Sequence, residues 1–219
     1  MEPTSNCSSA SGGAWFAGAA AIMQAIESQN VILYQADLRG QWPEPAARAF
    51  AARLPYARRL LLRSGSSAAQ ASLAGIALAV GALSHLLGRN VRADEILFAR
   101  GEKPRLAATD FSISHTGPWV ACAALAHGSV GLDLEMGADE RITDWVVREA
   151  ALKASGEGLR ALREVGELQL SDGHLAWRGE SWHVRRLEGF AGAAACLVTS
   201  VAVRTVERHA IGLAELFAP

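Results

Sequence analysis

Apolar positions change rhythm several times along the chain. Residues 31–38 (VILYQADL) have the β-branched and aromatic content of a strand, closed by Gly40 and Pro43. Residues 45–54 repeat with a helical period and continue into an arginine-rich run. Residues 68–87 are the longest helical stretch. They are apolar nearly all round, which predicts a buried helix, and Gly88 stands where a C-cap belongs. The middle of the chain turns to short β-like runs at 95–100, 111–114, 119–126 and 130–135. A helical period returns over 142–159, ending at Gly156 and Gly158. Strands are predicted again at 167–170, 174–177, 182–187 and 194–206. Ahead of all this, residues 1–13 are Ser/Gly-rich and read as a loose terminus, and 14–28 as a short Ala-rich helix.

Each half therefore runs strand, helix, then several strands. The expected fold class is α+β: two similar subdomains related by a pseudo-two-fold, each a small antiparallel sheet packed on a long helix. Residues 1–30 would be an N-terminal extension, 31–129 the N-terminal subdomain and 130–219 the C-terminal one.

Composition narrows the function classes. With 219 residues, 50% hydrophobic and 20% charged, the chain has enough apolar surface for a substantial core. A formal charge of −1 gives no basic field, so no nucleic-acid partner is expected. Three widely spaced cysteines without a CxxC pair argue against a disulfide framework or a structural zinc site and point to a reducing compartment. The apolar stretch at 14–26 is too short to cross a bilayer and lacks a basic flank, so no membrane association and a cytoplasmic location are expected. Of 21 basic residues only Lys103 and Lys153 are lysine.

The densest polar constellation spans 131–159. Asp133 and Glu135 are two apart in a predicted strand, so their carboxylates share a face. Glu149 and Lys153 are four apart on a predicted helix and share a face as well. Three carboxylates converging from a strand and a helix make an oxygen-only site of the kind Mg²⁺ takes. Taken alone, the same residues are also what an ordinary solvated surface carries. Leu132 and Leu134 bear on that choice: if they are core, the acids point the other way, into a cleft or solvent. Upstream, FSISHTG (111–117) places Ser114 and His115 at a strand end before a Gly-Pro turn, with no nucleophile elbow around the serine.

In order, EKP (102–104), FSISHTGPWVACA (111–123), VGLDLE (130–135) and WVVREAALKASGEGL (145–159) resemble the 4′-phosphopantetheinyl transferases of the larger, pseudo-dimeric type. The last segment is nearly the whole W-x-x-K-E-A-x-x-K-x-x-G-x-G-L signature, with Arg148 where lysine is usual. The resemblance implies transfer of the phosphopantetheine arm of coenzyme A to a serine of an apo acyl, polyketide or peptidyl carrier protein. It implies Asp133, Glu135 and Glu149 as Mg²⁺ ligands, and Glu149 with Lys153 as the pair that deprotonates the serine. It likewise implies Lys103, Ser114 and His115 as contacts of the coenzyme's phosphates. Two halves in one chain would enclose the site, so a monomer is expected.

The sequence departs from the family pattern in two places. Only 13 residues separate Glu135 from Glu149, where the family carries a longer segment that helps receive the carrier. In the first half, Ala71 and Ala79 replace the arginines that usually flank and end the apolar helix, while Ser72 keeps a common hydroxyl. Recognition of the 3′-phosphate is therefore expected from Arg53, Arg58, Arg59 or Arg63. An alternative function is that of a degenerate homologue, binding coenzyme A or a carrier protein without turnover.

Overall fold

The computed structural model describes residues 29–55, 58–59, 65–99, 101–158, 161, 163, 166, 168–171 and 173–218. The expected terminus and helix at 1–28, and Arg63, lie outside the described residues.

The first strand, β1 (Gln29–Asp37), leads into helix α1 (Glu44–Ala52), which opens with a proline in its first turn. The long helix α2 (Ser67–Leu87) begins where the Ser66 hydroxyl accepts the Ala69 amide at 3.2 Å, and it ends at Gly88 in the left-handed conformation (φ 61°). By length and composition α2 could cross a bilayer, but here its apolar surface is core: Leu73, Ile76, Leu78 and Leu83 are all buried. Strands β2 (Asp110–Thr116), β3 (Trp119–Leu125) and β4 (Val130–Met136) follow. Helix α3 (Glu140–Ser155) is capped by Asp139, whose carboxylate accepts the Ile142 amide at 3.0 Å. The remainder is β: β5 (Gln169–Ser171), β6 (His174–Trp177), β7 (Glu180–Arg186), β8 (Ala193–Thr199) and β9 (Val203–Ala210).

The fold is α+β with two sheets, ordered β2-β3-β1-β9 and β4-β8-β7-β6-β5. Three hydrophobic clusters stack them. One lies between α1, α2 and the first sheet, one between the two sheets, and one between α3 and the second sheet. Strand alternation makes this possible: Ile32, Val120 and Cys122 face α2, whereas Leu33, Ala121 and Ala123 face the other sheet. Cys122 and Cys196 are buried and unpaired.

Three expectations are corrected. The run at 194–206 is not one strand. It breaks at 200–202, where the Thr199 hydroxyl donates to the Val201 carbonyl and the Ser200 hydroxyl accepts the Ser129 amide. The chain then crosses, so β9 pairs parallel with β1, in register from Asn30↔Thr205 to Gln35↔Ala210. The first sheet is consequently mixed rather than antiparallel, and residues expected in the C-terminal half complete it. Finally, residues 95–99, the described part of the run expected at 95–100, form no strand: a 3₁₀ turn at Ala93–Glu95 is followed by a single bridge, Leu97↔Arg105, and Glu95 folds back onto the Arg92 amide.

The two sheets meet along β2 and β4, joined by side chains rather than a backbone ladder. The Val130 amide donates to Asp110 Oδ2 (2.7 Å) and the Leu132 amide to Ser112 Oγ (3.0 Å). The Leu134 amide donates to Ser114 Oγ (3.2 Å) and the Met136 amide to Thr116 Oγ1 (3.1 Å). Period-two spacing on both strands keeps the four contacts in step. They satisfy the outward amides of β4, which would otherwise be an open sheet edge.

Across β4, α3 approaches as closely as a glycine allows. A Cβ on Gly131 would lie 1.8 Å from the Ala150 carbonyl oxygen and 2.5 Å from the Ala154 nitrogen. The obstacle is backbone and cannot swing aside. Gly131→Ala is therefore expected to force α3 off β4 and to cost at least the roughly 1–3 kcal/mol typical of an overpacked core. Urea unfolding would read this as a lower midpoint; an unchanged midpoint would show that the helix has room to move.

Candidate functional site

Leu132 and Leu134 are buried in the inter-sheet core, which turns Asp133 and Glu135 to the opposite face of β4, under α3. The close packing at Gly131 brings Glu149 and Lys153, one helical turn apart on α3, down onto that face. One carboxylate oxygen from each of Asp133, Glu135 and Glu149 lies within 4.8 Å of the others. Lys153 Nζ is 2.5 Å from Asp133 Oδ1, 3.1 Å from Ser114 Oγ and 3.8 Å from Glu149 Oε1. Ser114 also donates to Asp133 Oδ1 at 3.0 Å. It thus ties the inter-sheet seam directly to the acid cluster.

Three carboxylates facing one ammonium leave excess negative charge. Asp133 Oδ2 is moreover buried and, unlike Oδ1, has no hydrogen-bond partner. Leaving a carboxylate oxygen buried without a donor is costly, and a hard divalent cation held by the three acids would satisfy it. The residues therefore fit a Mg²⁺ ion. Burial pushes the Asp133 carboxyl up to about 6; the like charge of Glu149 adds to this, and Lys153 and the Ser114 hydrogen bond oppose it.

A cleft of about 270 Å³ opens beside the cluster, lined by Glu102, Lys103 and Pro104 from the loop before β2, Ser112 and Ile113 of β2, and Leu152 and Lys153 of α3. Both lysines of the chain thus border one cleft. Lys103 Nζ is anchored, donating to Asp110 Oδ2 at 2.5 Å and to the Val130 carbonyl at 2.7 Å. Two of its three donors are therefore committed to the seam. Burial holds its pKa below the ordinary lysine value, against the pull of Asp110.

Of the other expected coenzyme contacts, His115 lies within reach of the Lys153 charge, whereas the described arginines stand elsewhere. Alternation along β2 sends Ser114 toward β4 but His115 to the face shared by Phe111 and Ile113, where its ring is exposed. Desolvation, and then the charge of Lys153, lower the imidazole's pKa from its ordinary value. Arg53 lines a different cavity, of about 770 Å³, with Tyr34, Phe50 and Leu216. Arg58 stacks on Phe98 at 5.2 Å, and Arg59 donates to the Ala52 carbonyl at 3.3 Å. Sequence reasoning missed Asp110, Ser112 and Thr116. Their signal was the strict D-x-S-x-S-x-T alternation over 110–116, which reads as a solvated strand face unless a second edge lies opposite it.

Asp133 gives a pH prediction whose sign is determined. Its folded pKa, about 6, lies above the ordinary carboxylate value near 3.9, so the folded protein holds that proton more tightly than the unfolded chain. Its contribution to stability is greatest below about pH 4 and declines as pH rises through about 6. In chelator-treated protein, the difference in melting midpoint between wild type and Asp133→Asn should shift against the wild type across that window. A difference that stays flat from pH 4 to 7 would contradict the shift.

Set against known proteins, the chain matches no protein-family model and no curated protein.

Proposed function

We propose that the protein transfers the 4′-phosphopantetheine arm of coenzyme A to a serine hydroxyl of an apo carrier protein, with Mg²⁺. One observation carries this reading: Asp133, Glu135, Glu149 and Lys153 converge around a buried, unpartnered carboxylate oxygen beside a cleft that Lys103 also borders. These are the positions at which the sequence resembles the transferase family. A pseudo-two-fold relation between the halves belongs to the same reading. It is supported by shared topology, since β1-α2-β2-β3 and β4-α3-β7-β8 both pair the first strand antiparallel to the last and the last to the middle one.

The chain's own groups divide the work. The cleft's 270 Å³ is below the ~300–1,000 Å³ that buries a drug-sized ligand, so it takes the pyrophosphate portion of coenzyme A and leaves the ends outside. Asp133, Glu135 and Glu149 would hold the metal, which when bound neutralises charge developing on the departing 3′,5′-ADP. Glu149 accepts the proton of the incoming serine. Lys153, held by Asp133 and Ser114 and 3.8 Å from Glu149, aims an N–H at the phosphates. The serine oxygen bonds to the β-phosphorus as the bond to the bridging oxygen breaks.

A single observation favours a second reading, binding of coenzyme A or a carrier without turnover. Only three residues, Gly137 to Asp139, separate β4 from α3, so no extra platform for a carrier stands there. What remains is a shallow surface formed by Met136, Arg141, Ile142 and Trp145 next to Glu135, with Met136 and Trp145 exposed.

Incubating the protein with coenzyme A, Mg²⁺ and a panel of apo-carriers, then weighing the carriers, separates the two. The transferase reading expects a mass gain of one phosphopantetheine arm, lost on omitting Mg²⁺ and reduced at least 100-fold in rate by Glu149→Ala. No gain on any carrier, with coenzyme A still bound in calorimetry, would select the second. For a transferase, Arg141→Glu is expected to raise the KM for carrier several-fold while leaving the coenzyme A Kd unchanged. If both stay at wild-type values, the carrier docks over another face.

A further inference from the structure

A second cluster of metal-ligating side chains lies at the opposite edge of the first sheet from β2. Strand β9 forms that edge, and its period-two spacing puts Glu207 and His209 on one face. His85, in the last turn of α2, meets them there. One ligand atom from each of the three lies within 4.8 Å of the others. His209 Nε2 is 2.9 Å and His85 Nε2 is 3.5 Å from the same oxygen, Glu207 Oε1. Two imidazoles and a carboxylate, each ~2.0–2.1 Å from a tetrahedral zinc, would stand roughly 3.4 Å apart, so the observed spacings need little adjustment.

The surroundings fit the same use. The two histidine rings meet edge to face, with centroids 4.9 Å apart, so their ring nitrogens converge without stacking. Tyr34, opposite His209 in the β1–β9 register, places its hydroxyl 3.5 Å from His85 Nδ1. A metal-bound histidine characteristically bonds through its other ring nitrogen, and Tyr34 offers His85 that partner. A single histidine would suffice to pair Glu207. Two aimed at one oxygen form a chelating set with a carboxylate at its centre.

We propose that His85, Glu207 and His209 bind a divalent transition-metal ion of the zinc class, with water in the fourth position. The donor set, two imidazoles and one carboxylate, is one that zinc accepts and Mg²⁺ does not favour. The ion fastens β9, the strand that crosses over from the second sheet, to the end of α2. It is independent of the acid cluster and of the activity proposed for it.

The test uses full-length protein stripped with a chelator and titrated with Zn²⁺, or with Co²⁺ as a visible reporter. Zn²⁺ at a hundredfold its Kd is expected to shift the folding equilibrium about a hundredfold toward the native state, seen as a raised melting midpoint. Co²⁺ should give the intense visible bands of tetrahedral coordination. Both responses should disappear in His85→Gln and His209→Gln. They should persist in Glu149→Gln, which probes the acid cluster, and in His174→Gln/His183→Gln, which removes the other close histidine pair. X-ray absorption of the zinc-loaded wild type should show two imidazoles, a readout that needs no variant to fold. Absence of a zinc-dependent shift, its survival in the His85/His209 variants, or a zinc shell without imidazole would overturn the proposal.

Discussion

Four side chains of one strand hold the amides of another, and the rest of the structure is arranged around that seam. Asp110, Ser112, Ser114 and Thr116 accept hydrogen bonds from Val130, Leu132, Leu134 and Met136. A sheet edge left open invites pairing with another chain, and a buried amide left unpaired costs about 1–3 kcal/mol. Short hydroxyl and carboxylate side chains solve both problems at once. They also keep the sheets distinct, so that each can carry its own helix on its outer face and share a core on its inner one.

The site follows from that arrangement. With Leu132 and Leu134 committed to the inter-sheet core, the residues between them must face α3, and the face already holding the glycine that admits α3 is the one that carries Asp133 and Glu135. Close approach of the helix then determines how near Glu149 and Lys153 come to those acids. Ser114 belongs to both systems, accepting the Leu134 amide and donating to Asp133. Lys103 ends the seam in the same manner, joining Asp110 to the Val130 carbonyl where the cleft opens. Seam and site are one hydrogen-bonded network, and strain in either would be felt in the other.

Much of this was legible in the sequence where local chemistry decides it. The buried helix ending at Gly88, the shared face of Asp133 and Glu135, and the pairing of Glu149 with Lys153 all follow from period and capping; the Ser66 N-cap was read only from the structure. What was not legible depended on partners distant in sequence. The break at 200–202 lies in a largely apolar run interrupted by Thr199 and Ser200, and the hydroxyl contacts that make it, like the pairing of β9 with β1, involve partners the run itself does not reveal. Residues 95–100 have strand composition, yet Glu95 prefers the nearby Arg92 amide to any sheet. Arg53, Arg58 and Arg59 look interchangeable as a basic run, but in the fold each finds a different neighbour: a separate cavity, an aromatic ring and a helix carbonyl.

The most direct measurement is amide hydrogen exchange at β4 in wild type and Ser112→Ala. The hydroxyl removed is the acceptor of the Leu132 amide and touches none of the three clustered acids. Losing a hydrogen bond worth about 1 kcal/mol should speed Leu132 exchange roughly fivefold or more, with smaller increases at Val130 and Leu134. Amides of β1, paired by backbone on both sides, should keep their wild-type rates. If Leu132 exchanges no faster in the variant, the side-chain seam does not hold the two sheets together.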